Sequence, residues 1–248
     1  MRSNKLLGIT ISKESKSSIL EKILKYIDRP TSFLHIVSLN PENLVVTTEN
    51  ESFKKIVETA QIKIIDGVGT VLAGQLLGVE VGERVTGVGL MEELIKVASD
   101  RRLRVLMIGG KENLALDLAQ CYSEPFTEPK VKGLQGIVDI KNIKKGEEVK
   151  IFSIVAAYKP CLVFVAFGSP DQELWLDSHK KEFAGCIVMG VGGAFDYLSG
   201  KIKRAPIFIQ KLGLEWLFRL LNQPWRWKRQ LRLFKFIKLI LQEKWKKN

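Results

Sequence analysis

Three stretches of this chain, "LRVLMIGG", "CLVFVAFGS" and "GCIVMGVGG", are continuous apolar runs of strand length that each finish on glycine. A strand without polar alternation has no face to offer water, so it must be covered on both sides, as in a parallel sheet layered between helices. Two further strands are read in "FLHIVSLN" and "QIKIIDG", bracketing a helix over the intervening "PENLVVTTENESFKKIVETA". The pattern predicts an α/β fold: a largely parallel sheet with helices on both faces. Residues 122–148 read as polar connections around a short strand near Val131, with little chemistry of their own. The glycines fall at the carboxyl ends of the strands, the edge at which loops and helix N-termini open and ligands bind in open parallel sheets.

With 248 residues, 46% of them hydrophobic, the chain can fill one large domain or a domain with an appendage. Its charge separates the two. Of the formal net charge of +12, the segment from Arg219 onward carries ten Lys/Arg and one acid (Glu243), or +9, which leaves +3 for everything before it. Pro206 is suited to the first turn of a helix that closes before Pro224, and Pro224 to the start of another. We therefore expect a core over residues 1–200 and a helical C-terminal appendage over 201–248. Cys121, Cys161 and Cys186 are far apart and lack CxxC spacing, which suggests neither a disulfide framework nor a cysteine metal site and fits a reducing cytoplasm. The N-terminus lacks a signal-peptide core, and no apolar run reaches about 18 residues, so the expectation is a protein that is soluble or attached only to a surface.

Asp66 ends an apolar strand in "IKIIDGVGTVLAG", followed by Gly67 and Gly69 at the opening of a helix. A carboxylate there can act as a general base; the structural alternative, a cap on the following helix, is favoured on this feature alone. Nucleotide fingerprints fail: the third glycine of G-x-G-x-x-G is missing after every strand, and no G-x-x-x-x-G-K-[ST] occurs. In "AFGSPDQELW" a Ser-Pro turn and an acidic first helical turn account for Ser169, Pro170, Asp171 and Glu173, while Gln172 has no such explanation beyond a tolerant surface helix. Arg84, in "GERVTGVGLMEEL", suits a diphosphate or a solvated loop charge. His35 and His179 have no metal-like spacing, and His35 reads as a half-buried strand residue. No Asp-x-Asp is present to hold a divalent ion, so any sugar-nucleotide chemistry would need positive side chains instead.

At 100° per residue, Trp227, Leu231, Phe234, Ile237, Leu241 and Trp245 fall on one side of the last helix. Lys228, Arg232, Lys235 and Lys246 gather on another, with Lys238 and Lys244 at the margins. That pattern suits the headgroup plane of an anionic membrane better than a core helix, and a nucleic-acid arm would not need the long aliphatic face. A basic nucleic-acid-binding α/β protein is the competing class, and nucleic acid is not the expected partner.

Seven ordered motifs, "SLNPENL", "IIDGVG", "ERVTG", "VLMIGGKE", "GSPDQE", "GVGGAFDYLSGKIKRAP" and "KLGLEWLFRLLNQPWRWKR", resemble the bacterial WecG/TagA/CpsF glycosyltransferase family over about residues 8–238. The resemblance implies a Rossmann-like core with a C-terminal appendage that helps complete the active site. It also implies an inverting transfer that needs neither metal nor cofactor, from a UDP-sugar donor to a polyprenyl-diphosphate-linked acceptor at the cytoplasmic membrane face. In the teichoic acid members the sugar is N-acetylmannosamine and the acceptor N-acetylglucosamine; a hexuronic acid or hexose donor is the alternative. By position, Asp66 matches the proposed base, Ser38 and Asn40 a Thr-x-Asn pair lining the pocket, Arg84 and Gln172 pocket residues, and Arg219, Arg226 and Arg229 appendage arginines that meet the diphosphate. Ser38 keeps the hydroxyl of the family's Thr, whereas "VKGLQGIVDI" departs from a His-Gly-Tyr-Phe-like stretch of relatives that bears on specificity. The oligomeric state is left open, a homo-oligomer included.

Overall fold

The computed structural model describes residues 4–111, 113–122, 130–202, 205–211, 213–223 and 227–247. A hairpin of β1 (Lys5–Leu6) and β2 (Ile9–Thr10) leads into α1 (Lys16–Asp28), β3 (Leu34–Leu39), α2 (Pro41–Glu49), α3 (Glu51–Thr59) and β4 (Ile62–Ile65). Then follow α4 (Val68–Leu77), α5 (Gly87–Asp100), β5 (Arg104–Gly109), α6 (Leu114–Tyr122), β6 (Lys130–Leu134) and α7 (Glu147–Tyr158). The chain continues through β7 (Leu162–Ala166), α8 (Asp171–Ser178), β8 (Ile187–Gly190), α9 (Ala194–Leu198), α10 (Ile207–Lys211), α11 (Glu215–Asn222) and α12 (Trp227–Lys247). Six strands form one sheet in the order β4-β3-β8-β7-β5-β6, and every neighbouring pair is parallel.

Successive side chains of a strand point to opposite faces, and both faces are apolar here. Ile36, Ile64, Met107, Phe164 and Met189 pack with Ile23 of α1, Leu90 and Leu94 of α5, Leu118 of α6 and Phe195 of α9. On the other side Val37, Leu39 and Ile65 meet Leu44 of α2, Phe53 of α3 and Ala73 of α4, while Leu106, Val163 and Val188 meet Ile151 of α7 and Leu176 of α8. The expected α/β architecture with helices on both faces is what forms.

Two expected helices are each divided. Asn50 closes α2 and at once caps α3, its side chain accepting from the Phe53 N–H at 2.9 Å, so residues 41–60 make two helices. Between α10 and α11 the backbone turns at Gly213 with φ +73°, where any side chain would be strained and would also collide with Val68. That turn sets the appendage against the start of α4. His35, expected half-buried, is fully buried and edge-on to Phe33.

α12 has two apolar faces. Phe236 and Ile240, each 3% exposed, join the cluster of α2, α3 and α4, whereas Trp227, Leu231, Phe234, Ile237, Leu241 and Trp245 all face solvent. Part of the cationic face is turned inward: Arg232 pairs with Glu42 at 2.9 Å and Lys235 with Glu49 at 2.6 Å, both on α2. Among the described residues no helix is long and apolar enough to cross a membrane.

The two faces should respond differently to truncation. Phe236→Ala is expected to lower the unfolding free energy by about 3 kcal/mol, and Phe234→Ala by less than about 0.5 kcal/mol, measured by urea denaturation. A second outcome concerns pH. Burial lowers the His35 pKa from its ordinary value of 6.5 to about 4, so between those values the unfolded chain takes up the proton first. The cost is absent above pH 6.5 and grows as pH falls toward 4, to about 3 kcal/mol. The drop in stability over this window should be shallower in His35→Leu.

Candidate active site

A cavity of about 690 Å³ opens at the carboxyl edge of the sheet. Ser38 and Asn40 from the end of β3, Asp66 from β4, Gly110 from β5, Gly168 from β7 and Gly192 from β8 all reach it, as do Gln210, Trp216, Arg219 and Leu233 of the C-terminal helices. The strand ends converge because the sheet is parallel, and the glycine-terminated runs place the turns there.

Asp66 does not cap the helix that follows it. The residue before α4 is Gly67, which offers no side-chain cap, and Asp66 Oδ2 instead accepts the N–H of Gly87, the first residue of α5, at 3.2 Å. The structural alternative read from the sequence is thereby corrected: the carboxylate bridges to a different helix, and the start of α4 lines the cavity without a side-chain cap. Uncapped N–H groups at a helix N-terminus favour an anionic group. A methyl group built on Gly87 would lie 3.4 Å from both Asp66 Oδ2 and Ser38 Oγ, so carboxylate and hydroxyl address one small volume.

Asn40 is the cap of α2, its Oδ1 accepting from the Asn43 N–H at 2.8 Å, which leaves its NH2 end for a ligand. Asn43, which the sequence reading did not single out, is 3% exposed and ties two strand ends together. Its Nδ2 donates to the Ser38 carbonyl at 2.8 Å and its Oδ1 accepts from Ser169 Oγ at 2.9 Å. Arg84 is not a solvated loop charge. It follows Ile65 across a parallel bridge and donates through both terminal nitrogens to the Gln210 carbonyl of α10, 3.4 Å away in each case.

Gln172 lies on no surface face: it is 3% exposed, with Oε1 accepting from the N–H groups of Gly168 and Gly192 at 3.1 Å each. Glu173, accounted for in the sequence by the acidic first helical turn, is 1% exposed. Both corrections have one cause, because α8 enters the molecule where β7 and β8 end, and its first turn points into the layer beneath the cavity. Arg219 of α11 lies over the Tyr197 ring at 4.7 Å, pairs with Asp196 at 3.3 Å and donates from Nε to Gln223 at 3.3 Å. These bonds use two of its five N–H groups, so the fork keeps donors for an anion. Arg226 lies outside the described residues. Arg229 lies on the first turn of α12, and its side chain is outside the description.

Residues 122–148 read locally as carrying little chemistry, and only the resemblance tied "VKGLQGIVDI" to specificity; Ile137, Val138 and Ile140 of that stretch line the cavity. No local signal marks them, since it is the end of β6 that carries the following loop to the same edge. What the site offers chemically is an oriented carboxylate beside a hydroxyl and an amide, with guanidinium donors contributed from a separate part of the chain. Such a set suits deprotonation of an alcohol next to an anionic leaving group.

Comparison with known proteins agrees with this chemistry. Residues 4–248 match the model of the glycosyl transferase WecG/TagA/CpsF family. An N-acetylglucosaminyldiphosphoundecaprenol N-acetyl-beta-D-mannosaminyltransferase of Bacillus subtilis is 28% identical over 245 residues, covering 98% of this chain and 93% of the relative. Proteins of the same name from Bacillus spizizenii and Staphylococcus aureus are 30% and 28% identical, over 83% and 92% of this chain and 78% and 87% of their own. A match of the family model over nearly the whole length makes the chain a member of the WecG/TagA/CpsF family of glycosyltransferases.

Proposed function

We propose that the protein transfers N-acetylmannosamine from its UDP derivative to N-acetylglucosamine carried on undecaprenyl diphosphate, with inversion and without a metal ion, at the cytoplasmic face of the membrane. The names of the relatives supply the sugar and the acceptor. The observation that carries the chemistry is the Asp66 carboxylate, held by the Gly87 N–H at the edge where the strand ends meet. Asp66 takes the proton of the acceptor hydroxyl, the oxygen bonds to the anomeric carbon, and the bond from that carbon to the diphosphate oxygen breaks. UDP leaves with the electron pair, its charge met by Arg219 and, in this reading, by Arg226 and Arg229. Ser38 and Asn40 orient the sugars through hydroxyl and amide, and Arg84 holds the appendage loop over them.

The surface reading rests on α12. Its outward stripe, with Phe234 69% and Trp245 80% exposed, is an apolar face that no part of this chain covers among the described residues. A lipid-linked substrate gives such a face an occupant, the membrane that carries the acceptor. With Arg232 and Lys235 engaged by α2, exposed Lys238 and Lys246 are left to meet anionic headgroups.

Incubation with a panel of UDP-sugars and a short-chain polyprenyl-diphosphate N-acetylglucosamine, followed by mass spectrometry, should show addition of one N-acetylhexosamine and release of UDP. Addition of a hexose or hexuronic acid would reassign the donor. Asp66→Asn should lower turnover by about 10²–10⁴-fold while the protein stays folded, and near-normal activity would remove Asp66 from the role. Phe234→Glu combined with Ile237→Glu should weaken co-sedimentation with phosphatidylglycerol vesicles by roughly tenfold or more. Unchanged co-sedimentation would take α12 out of membrane contact.

A further inference from the structure

The floor of the cavity contains a pair of adjacent buried side chains that the proposed chemistry does not use. Gln172 Oε1 receives the N–H of Gly168, in the turn after β7, and the N–H of Gly192, in the turn after β8, each at 3.1 Å. One oxygen therefore bridges the loops of two neighbouring strands. An amide can be turned end for end, and in the flipped orientation two donors would face two donors. What fixes the orientation is Glu173, whose Oε1 accepts from Gln172 Nε2 at 2.8 Å. The pair is set so close beneath β8 that a methyl group on Gly190 would lie 2.5 Å from Gln172 Nε2 and 2.7 Å from Glu173 Oε1.

We propose that Glu173 is a positioning residue of the transfer site: by orienting Gln172 it holds the turns after β7 and β8 at a fixed spacing, and with them the wall on which the sugar-nucleotide donor rests. The donor wall depends on the transferase reading above; the clamp itself does not. Glu173 does this work as a neutral carboxylic acid. Its second oxygen, Oε2, is buried without a hydrogen-bond partner among the described residues, where an ionised oxygen would be costly. Burial pushes its carboxyl above the ordinary range, the hydrogen bond from Gln172 opposes this only in part, and no basic side chain among the described residues acts on it. A neutral acid keeps one carbonyl oxygen as acceptor, which is all the Gln172 amide requires.

The neutral form makes a sharp distinction between substitutions. Glu173→Gln retains an acceptor at the same reach and no charge, so turnover, the KM for the UDP-sugar and the pH profile should stay within about twofold of the wild type. Glu173→Ala frees the Gln172 amide, and the KM for the donor should rise about tenfold or more with a smaller fall in kcat. Amide hydrogen exchange at Gly168 and Gly192, followed by NMR, reads the clamp without any substrate. It should be about tenfold faster in Glu173→Ala and unchanged in Glu173→Gln. Should the alanine variant fail to fold, Glu173→Asp, one methylene too short to reach, replaces it. A Glu173→Gln protein as impaired as Glu173→Ala would overturn the neutral-acid role, and unchanged exchange in a folded Glu173→Ala or Glu173→Asp protein would overturn the clamp. If the wild type transfers no UDP-sugar at all, the transferase reading fails, while exchange at the two glycines still decides the proposal.

Discussion

All six strands of the main sheet run parallel, so their carboxyl ends, and the starts of the helices that follow, must meet along one edge. The rest of the molecule follows from that constraint. Both faces of the sheet are sealed by apolar layers, and polar chemistry is displaced to the edge, where backbone N–H groups emerge without strand partners. The edge supplies an oriented position for a carboxylate: Asp66 leaves β4 and is caught at once by the N–H of Gly87 at the opening of α5. The same geometry explains why so many glycines recur at the ends of apolar runs, since the turns there approach one another closely.

Much of this was legible in the sequence because burial on both faces leaves a strong local mark. Uninterrupted runs such as residues 103–110 and 161–169 can only be central strands, and their glycine endings locate the crevice. Asp66 was legible as a position but not as an interaction: sequence proximity pointed to α4, while the actual partner, Gly87, is 21 residues away and arrives through the parallel bridge between Ile65 and Arg84. The burial of Gln172 and Glu173 was not legible for a related reason. A helix of mixed polarity has no visible inward face until the strands it crosses are known, and α8 enters between the ends of β7 and β8. Asn43 and Ile137 fall within quoted stretches, "SLNPENL" and "VKGLQGIVDI", but their contacts were beyond reach, since long-range assembly alone brings them to the cavity.

The last helix shows a different limit of sequence reading. Its outward stripe was correctly extracted at helical periodicity, but a helix with two apolar faces yields a weakened pattern, and the stronger stripe hid the second. Phe236 and Ile240 bind α12 to the outer layer, and Arg232 and Lys235 turn a face that looks purely cationic into two ion pairs with α2. Partly exposed pairs of this kind add little stability, so docking of α12 rests mainly on the buried aromatic and aliphatic contacts.

Among the described residues, three contacts at the cavity join the strand ends to the C-terminal segment, and their placement matters more than their strength. Arg84, beside the end of β4, holds the Gln210 carbonyl; Gly213 turns against Val68 at the start of α4; Arg219 pairs with Asp196 just beyond β8. Two of them lie at the end of β4 and the third beyond β8, and each meets a different point on the C-terminal segment. Arg219 and Trp216 of α11 reach the lining past these contacts, whereas Leu233 is carried by α12, which Phe236 and Ile240 seat separately on the layer of α2, α3 and α4. The helix that presents the exposed apolar stripe thus also lends Leu233 to the cavity wall, while the guanidinium that reaches the cavity comes from α11, which has its own contacts to the strand ends.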